Sequence, residues 1–208
     1  MESTWELFQK GGPVMYALLI CSIVVIAVAI ERYRFYKQAG RNATPFIAKL
    51  PEMLGSCDAN QAAELCVVEN TAPSYIVEAG LRAQTAGDSV DLALDTAYGE
   101  MAMKLRARLN YLSMIVTMAP LLGLLGTISG MIQSFSIFSV RAGEPLAITG
   151  GIGEALIATA TGLCVAIFSL VIHTYFVQRL DEMLATLDKA ASAMRNFDKE
   201  KRRNSDEA

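Results

Sequence analysis

Three stretches of this chain contain no Asp, Glu, Lys or Arg: residues 11–30, 109–140 and 155–178, which are 20, 32 and 24 residues long. A helix rising about 1.5 Å per residue needs roughly 20 apolar residues to cross a ~30 Å hydrocarbon core, so each stretch is long enough to span a bilayer. The rest of the composition agrees. Of 208 residues, 53% are apolar and only 19% charged, with a mean hydropathy of +0.35, which is too apolar for an ordinary soluble domain. The expected fold is an all-α membrane protein with three transmembrane helices at 11–30, 109–138 and 153–178. Between and around them lie an external N-terminal segment (1–10), a cytoplasmic helical segment (31–108), a short external loop (139–152) and a cytoplasmic helix and tail (179–208).

This layout narrows the function classes. The longest segment outside the spans has 78 residues and the chain has a single histidine, His173. That leaves no common metal-ligand spacing and no Cys-His nucleophile pair, so no enzyme, metal or cofactor is expected. Cys21 and Cys164 lie in spans, while Cys57 and Cys66 lie in the segment placed in the cytoplasm, where thiols stay reduced. A net charge of −3 without a basic stripe gives no nucleic-acid footprint.

Charge also orients the spans. The first apolar run resembles a signal peptide, with Ala27-Val28-Ala29 as a small-x-small site, but the segment before it carries Glu2 and Glu6 and the run is followed by Arg32, Arg34 and Lys37. Sixteen of the 18 Lys and Arg residues fall in 31–108 and after 178, and two fall elsewhere. The expectation is an N-terminus outside and a C-terminus in the cytoplasm. Trp5, Phe8 and Tyr16 would then mark the outer interface, and Tyr33, Phe35, Tyr36, Tyr111, Tyr175 and Phe176 the inner one.

The cytoplasmic segment reads as several short helices punctuated at Pro45, Pro51, Gly55, Pro73, Gly80 and Gly87. From Asp88, read as an N-cap, the mainly helical apolar pattern Val90, Leu92, Leu94, Ala97, Met101 and Leu105 runs straight into the second span as one long helix. The third span likewise continues through Leu180, Met183, Leu184, Leu187, Ala191 and Met194. That helix needs partner helices to cover its stripe. The last ten residues read as a frayed, disordered tail.

Within the spans, a wheel at 100° per residue places Ser113, Thr117, Pro120, Leu124, Thr127, Met131 and Ser134 on one face of the second helix, with Gly123, Gly126 and Gly130 on its neighbour. In the third, Ala155, Thr159, Gly162, Ala166, Ser169 and His173 share a side. Ordinary helix packing explains such stripes, since small residues permit close approach and hydroxyls bond to their own backbone. A weakly polar lumen explains them too. Glu154, at the mouth of the third span, fits either an ion route or a hydrated acid favouring a helix N-terminus. His173 fits either a proton relay or an interfacial position.

These residues resemble the MotA/TolQ/ExbB proton-channel family. The segment APLLGLLGTISGMIQSF at 119–135 is similar to the family's most specific motif, and GGIGEALIATATGLCVAI at 150–167 to the start of its third span. The first span is similar as well, from QKGGPVMYALLICS to IERYRFY. Departures are Ala166-Ile167-Phe168-Ser169 where relatives often carry a proline, His173-Thr174 in place of a frequent Tyr-Asn, and Ala17 where proline is common. The resemblance is nearest ExbB, with TolQ next. It implies a bacterial inner-membrane homopentamer around two copies of an ExbD- or TolR-like single-span partner, whose membrane Asp carries the proton. It further implies coupling of proton motive force to a TonB- or TolA-like transducer reaching the outer membrane. On it, Thr127 and Thr159 match the family's pore threonines and Glu154 its acid at the third-span start; from the polar stripes, Ser134, Gly162 and Ser169 are expected to join them in the proton pathway or pore lining, with Gly123, Gly126, Gly130 and Pro120 packing the helices. The competing expectations are a non-conducting membrane scaffold and a sodium-driven stator of the same family.

Overall fold

The computed structural model describes residues 12–56, 58–140 and 145–206, with side chains outside 137–149, 154 and 205–206. Among the described residues seven helices follow in order: α1 (Val14–Ala39), α2 (Ala43–Ser56), α3 (Ala59–Glu69), α4 (Ala72–Ala86), α5 (Val90–Arg106), α6 (Leu109–Val140) and α7 (Pro145–Asp206). No strand occurs among the described residues. Three helical stretches are long and apolar enough to cross a membrane, centred on α1, α6 and the first half of α7. The protein is a multi-pass all-α membrane protein. It divides into two compact units, which we call the membrane unit (up to Glu31, and Arg108–Phe176) and the helical unit (Arg32–Ala107, and from Val177).

In the membrane unit, the buried positions recur at helical spacing. They are Met15, Leu18 and Val25 on α1; Leu109, Leu112, Ile115, Ala119, Gly123, Gly126 and Ser134 on α6; and Ala155, Ala158, Gly162, Ala166, Ser169 and Phe176 on α7. The other faces are apolar as well: Ile20, Ile23, Leu121, Ile132, Phe135, Leu156, Ile167 and Val171 are all exposed on the single chain. Apolar surface this extensive is unsuited to water and suits lipid or further subunits.

The helical unit is built around α4, which is buried along most of its length from Thr71 to Ala83. Thr71 and Ser74 form a capping box, Pro73 sits in the first turn, and Gly87 closes the helix in the left-handed region at φ +77°. A Cβ on Gly80 would come within 2.8 Å of Met194 and 3.0 Å of Leu94, so α4 packs closely on both α7 and α5 there. Leu50, Ile76, Leu81, Leu94, Leu105, Leu187 and Met194 are fully buried and form the core.

The punctuation differs from that expected. Pro45, Pro51 and Gly55 lie inside α2, and Gly80 lies inside α4 as a packing position. Breaks fall instead at Asn42 and Asn70, both left-handed at φ +55° and +45°. Asparagine tolerates that conformation through its short polar side chain, so it ends helices much as glycine does. Ser89, not Asp88, caps α5, its hydroxyl accepting from the N–H of Leu92. The long helix expected from Asp88 into the second span is two helices, interrupted at Ala107 and Arg108. At the other end, α7 begins at Pro145, within the stretch expected to be a loop, and proline suits a helix start. It continues to Asp206 through the expected frayed tail. There Asp198 pairs with Arg202 at 2.8 Å and accepts from Gln84 at 2.8 Å, while Lys201 donates to Gln84 at 3.2 Å.

Candidate functional site: the α6–α7 seam and its open face

Helices α6 and α7 meet through residues that have almost no side chain. A Cβ on Gly123 would lie 3.1 Å from the carbonyl oxygen of Ala158 and from the Cα of Thr159. On Gly126 it would come within 2.5 Å of the Ala158 Cβ, and on Gly130 within 3.0 Å of the Ala155 Cβ. The relation is reciprocal, since a Cβ on Gly162 would stand 2.6 Å from the Ala119 carbonyl oxygen. Lipid tails are as apolar as leucine, so helices in a bilayer associate by close packing and by hydrogen bonds across the contact. The seam provides both. Thr159 Oγ1 donates to the Gly123 carbonyl at 3.0 Å, an approach that depends on glycine at position 123.

Four further hydroxyls bond within their own helices. Thr127 Oγ1 donates to the Leu124 carbonyl at 2.7 Å, Ser134 Oγ to Gly130 at 2.8 Å, Ser169 Oγ to Val165 at 2.7 Å and Thr161 Oγ1 to Ile157 at 2.8 Å. Each such hydroxyl spends its single proton on the backbone and keeps lone pairs able to accept. Proline at 120 removes one N–H from the α6 ladder, a loss a membrane helix tolerates when neighbours or side chains satisfy the freed carbonyl.

The residues expected to line a pathway therefore separate into two groups. Ser134, Gly162 and Ser169 are buried inside the chain; Ser169 has no exposed surface and Ser134 is 2% exposed. Ser134 and Gly162 stand at the seam, where a Cβ on Gly151 would meet Ser134 and one on Gly162 would meet the Ala119 carbonyl, and Ser169 is buried within the membrane unit. Thr159 is half-buried, with its proton committed across the seam. Thr127 is also half-buried and lies at the edge of the seam, on the neighbouring face of α6 that includes the exposed Thr117 and Leu124. Gly123, Gly126 and Gly130 carry the seam on α6, with Pro120 half-buried beside them. Glu154 lies in α7, and its side chain is outside those described. His173 is half-buried.

Sequence patterning did not single out Ala158, which is fully buried and sits opposite both Gly123 and Gly126. Its position, four residues before Gly162 and three after Ala155, was the available signal. Outside the spans, burial first and then Glu78 and Glu69 push the Cys66 thiol up to about 12, which makes it an inert core residue.

A family model described as the MotA/TolQ/ExbB proton channel family matches residues 68–189, well over half of the chain and including both sides of the seam. The chain belongs to that family. Among its relatives, the protein named biopolymer transport protein ExbB-like 3 of Synechocystis is 34% identical over 81% of this chain and 82% of its own length. ExbB-like 1 of the same organism is 31% identical over 82% of this chain and 69% of its own. The Tol-Pal system protein TolQ of Pseudomonas aeruginosa is 30% identical over 74% of this chain and 62% of its own. Family membership gives the chain a role in membrane energy transduction, nearer ExbB than TolQ.

Proposed function

We propose that this chain is the proton-channel and motor subunit of a bacterial inner-membrane complex that couples proton motive force to a TonB- or TolA-like transducer acting at the outer membrane. In this reading five copies surround two helices of an ExbD- or TolR-like partner whose membrane Asp carries the proton. The N-terminus faces the periplasm and the C-terminus the cytoplasm, as the distribution of Lys and Arg suggests. The chain itself performs no covalent chemistry.

The observation that carries this reading is the state of the Thr127 hydroxyl. Its proton is bonded to the Leu124 carbonyl, so its outward lone pairs accept but do not donate. A protonated carboxyl can donate to such a group, whereas a carboxylate, which only accepts, gains nothing from it unless the hydroxyl breaks its backbone bond. A wall of this kind favours the neutral form of a partner's acid. The one acid within the expected spans is Glu154, at the mouth of the third, and none lies at mid-membrane depth, so in this reading the carrier comes from another chain. Protonation would then let the partner helix pass the wall, and deprotonation would hold it away. Alternating these states around a ring gives directed motion.

The scaffold reading draws support from one specific observation, the burial of Ser134, Gly162 and Ser169 within the single chain. The two are separated by the native mass of the complex extracted from its own membrane in mild detergent, with co-purifying chains identified. A pentamer of the 22.5 kDa chain carrying two copies of a single-span protein with a membrane Asp supports the motor. A complex free of any such partner in every gentle detergent supports the scaffold. Replacing sodium by another cation while following transport separates a sodium-driven stator from a proton-driven one.

A further inference from the structure

The chain between α5 and α6 breaks where its own sequence favours a helix. Residues 101–112 read MAMKLRARLNYL, without glycine or proline, and Ala, Leu, Met, Lys and Arg are among the strongest helix formers. Nevertheless α5 stops at Arg106, and Ala107 leaves it with ψ 141°. Arg108 then adopts φ +67°, a left-handed conformation that disfavours any side chain of this kind. Such a conformation persists only where surrounding contacts enforce it.

The enforcing contacts come from α1. In an uninterrupted helix the N–H of Arg108 would donate to the Lys104 carbonyl and that of Leu109 to the Leu105 carbonyl. Those are the two carbonyls that α1 satisfies instead. The guanidinium of Arg32 donates to Lys104 at 3.1 Å, and the phenol of Tyr36 donates to Leu105 at 2.8 Å. Both side chains are buried, and Arg32 is steadied over the Phe35 ring at 4.7 Å. With both carbonyls paired, the break leaves neither orphaned. Glu31, the neighbour of Arg32, also pairs with Arg108 at 2.9 Å, holding the left-handed residue itself.

We propose that residues 104–109 are a two-state joint: a broken state latched by Arg32 and Tyr36, and an uninterrupted α5–α6 helix formed when the latch is released. Local propensity favours the uninterrupted state and tertiary contacts favour the broken one, which is the balance a switch requires. The latch residues lie on the same helix, α1, as the first span and follow directly on it. The joint does not depend on what, if anything, the complex conducts.

Hydrogen exchange at single-residue resolution, measured on the full-length chain in its native complex, tests this. Arg32→Met should slow exchange of the Arg108 amide and Tyr36→Phe that of the Leu109 amide, each by about tenfold or more, as the helix closes over them. Adding Arg108→Gly should restore wild-type exchange in both backgrounds, because glycine takes the left-handed conformation freely. Unchanged or faster exchange at both amides in the two variants would overturn the proposal. Should Arg32→Met fail to assemble, Tyr36→Phe, which removes a single hydroxyl, decides the question alone at Leu109.

Discussion

The two units of this chain solve the same packing problem with opposite side chains. In the membrane unit α7 presents Ala155, Ala158, Gly162, Ala166 and Ser169 to its neighbour; in the helical unit the same helix presents Leu180, Leu184, Leu187 and Met194. The spacing by three and four is preserved while the residues grow from small to large. Solvent explains the change. In water, burying a leucine removes apolar surface from a cohesive liquid, so a core of large side chains holds the helical unit together. In lipid that driving force is absent, and helices adhere only where backbones approach closely enough to add dispersion and a hydrogen bond such as that from Thr159 to Gly123.

The contrast can be broken from either side, and the largest effect is expected in the helical unit. Leu187→Ala, at a fully buried position, should cost about 2–5 kcal/mol and appear as a large fall in the melting temperature of the complex. Gly126→Ala should follow at roughly 1–3 kcal/mol, since its Cβ would be 2.5 Å from that of Ala158 in a seam with no flexible side chain to yield. Thr159→Val removes the hydrogen bond across the seam and should cost about 0.6 kcal/mol by the same melting measurement. The smallest effect has the opposite sign. Gly99, in α5, has nothing within 4 Å of a built Cβ, so Gly99→Ala should stabilise by roughly 0.5–1 kcal/mol through helix propensity alone. Equal responses at Gly99 and Gly126 would dissolve the distinction between a free glycine and a seam glycine.

Titration sharpens the comparison within the helical unit. The Cys66 thiol, ordinarily 9.0, is raised to about 12 chiefly by burial, so the folded state holds its proton more firmly than the unfolded chain. Its contribution to stability is full below pH 9 and is lost as pH rises towards 12. Alkylation at pH 8 should leave Cys66 unmodified until the protein unfolds, as read by mass spectrometry.

How much was legible in the sequence follows from which forces act locally. The three spans could be read directly, because excluding charge from 20 or more residues has few other causes. The glycine face of α6 was visible on a wheel. A wheel gives an angle, however, and not a neighbour, so it did not show that Ser134, Gly162 and Ser169 are buried within the single chain. Helix ends at Asn42 and Asn70 were hidden because prolines and glycines were taken as the breakers, and those at 45, 51, 55 and 80 lie within helices. The break at Ala107 and Arg108 was the least legible of all. Every local signal there favours helix, and the residues that oppose it, Arg32 and Tyr36, lie about 70 positions away in sequence.

The central claim is that Thr127, on the open face of α6, senses the protonation of a partner acid, while Thr159 and the buried hydroxyls hold the seam. Proton uptake into liposomes containing the native complex, compared for Thr127→Val and Ser134→Ala, tests it most directly. The account predicts that Thr127→Val abolishes uptake with native mass and melting temperature unchanged, and that Ser134→Ala conducts as wild type. Normal uptake in Thr127→Val, or its loss in a fully assembled Ser134→Ala complex, would contradict it.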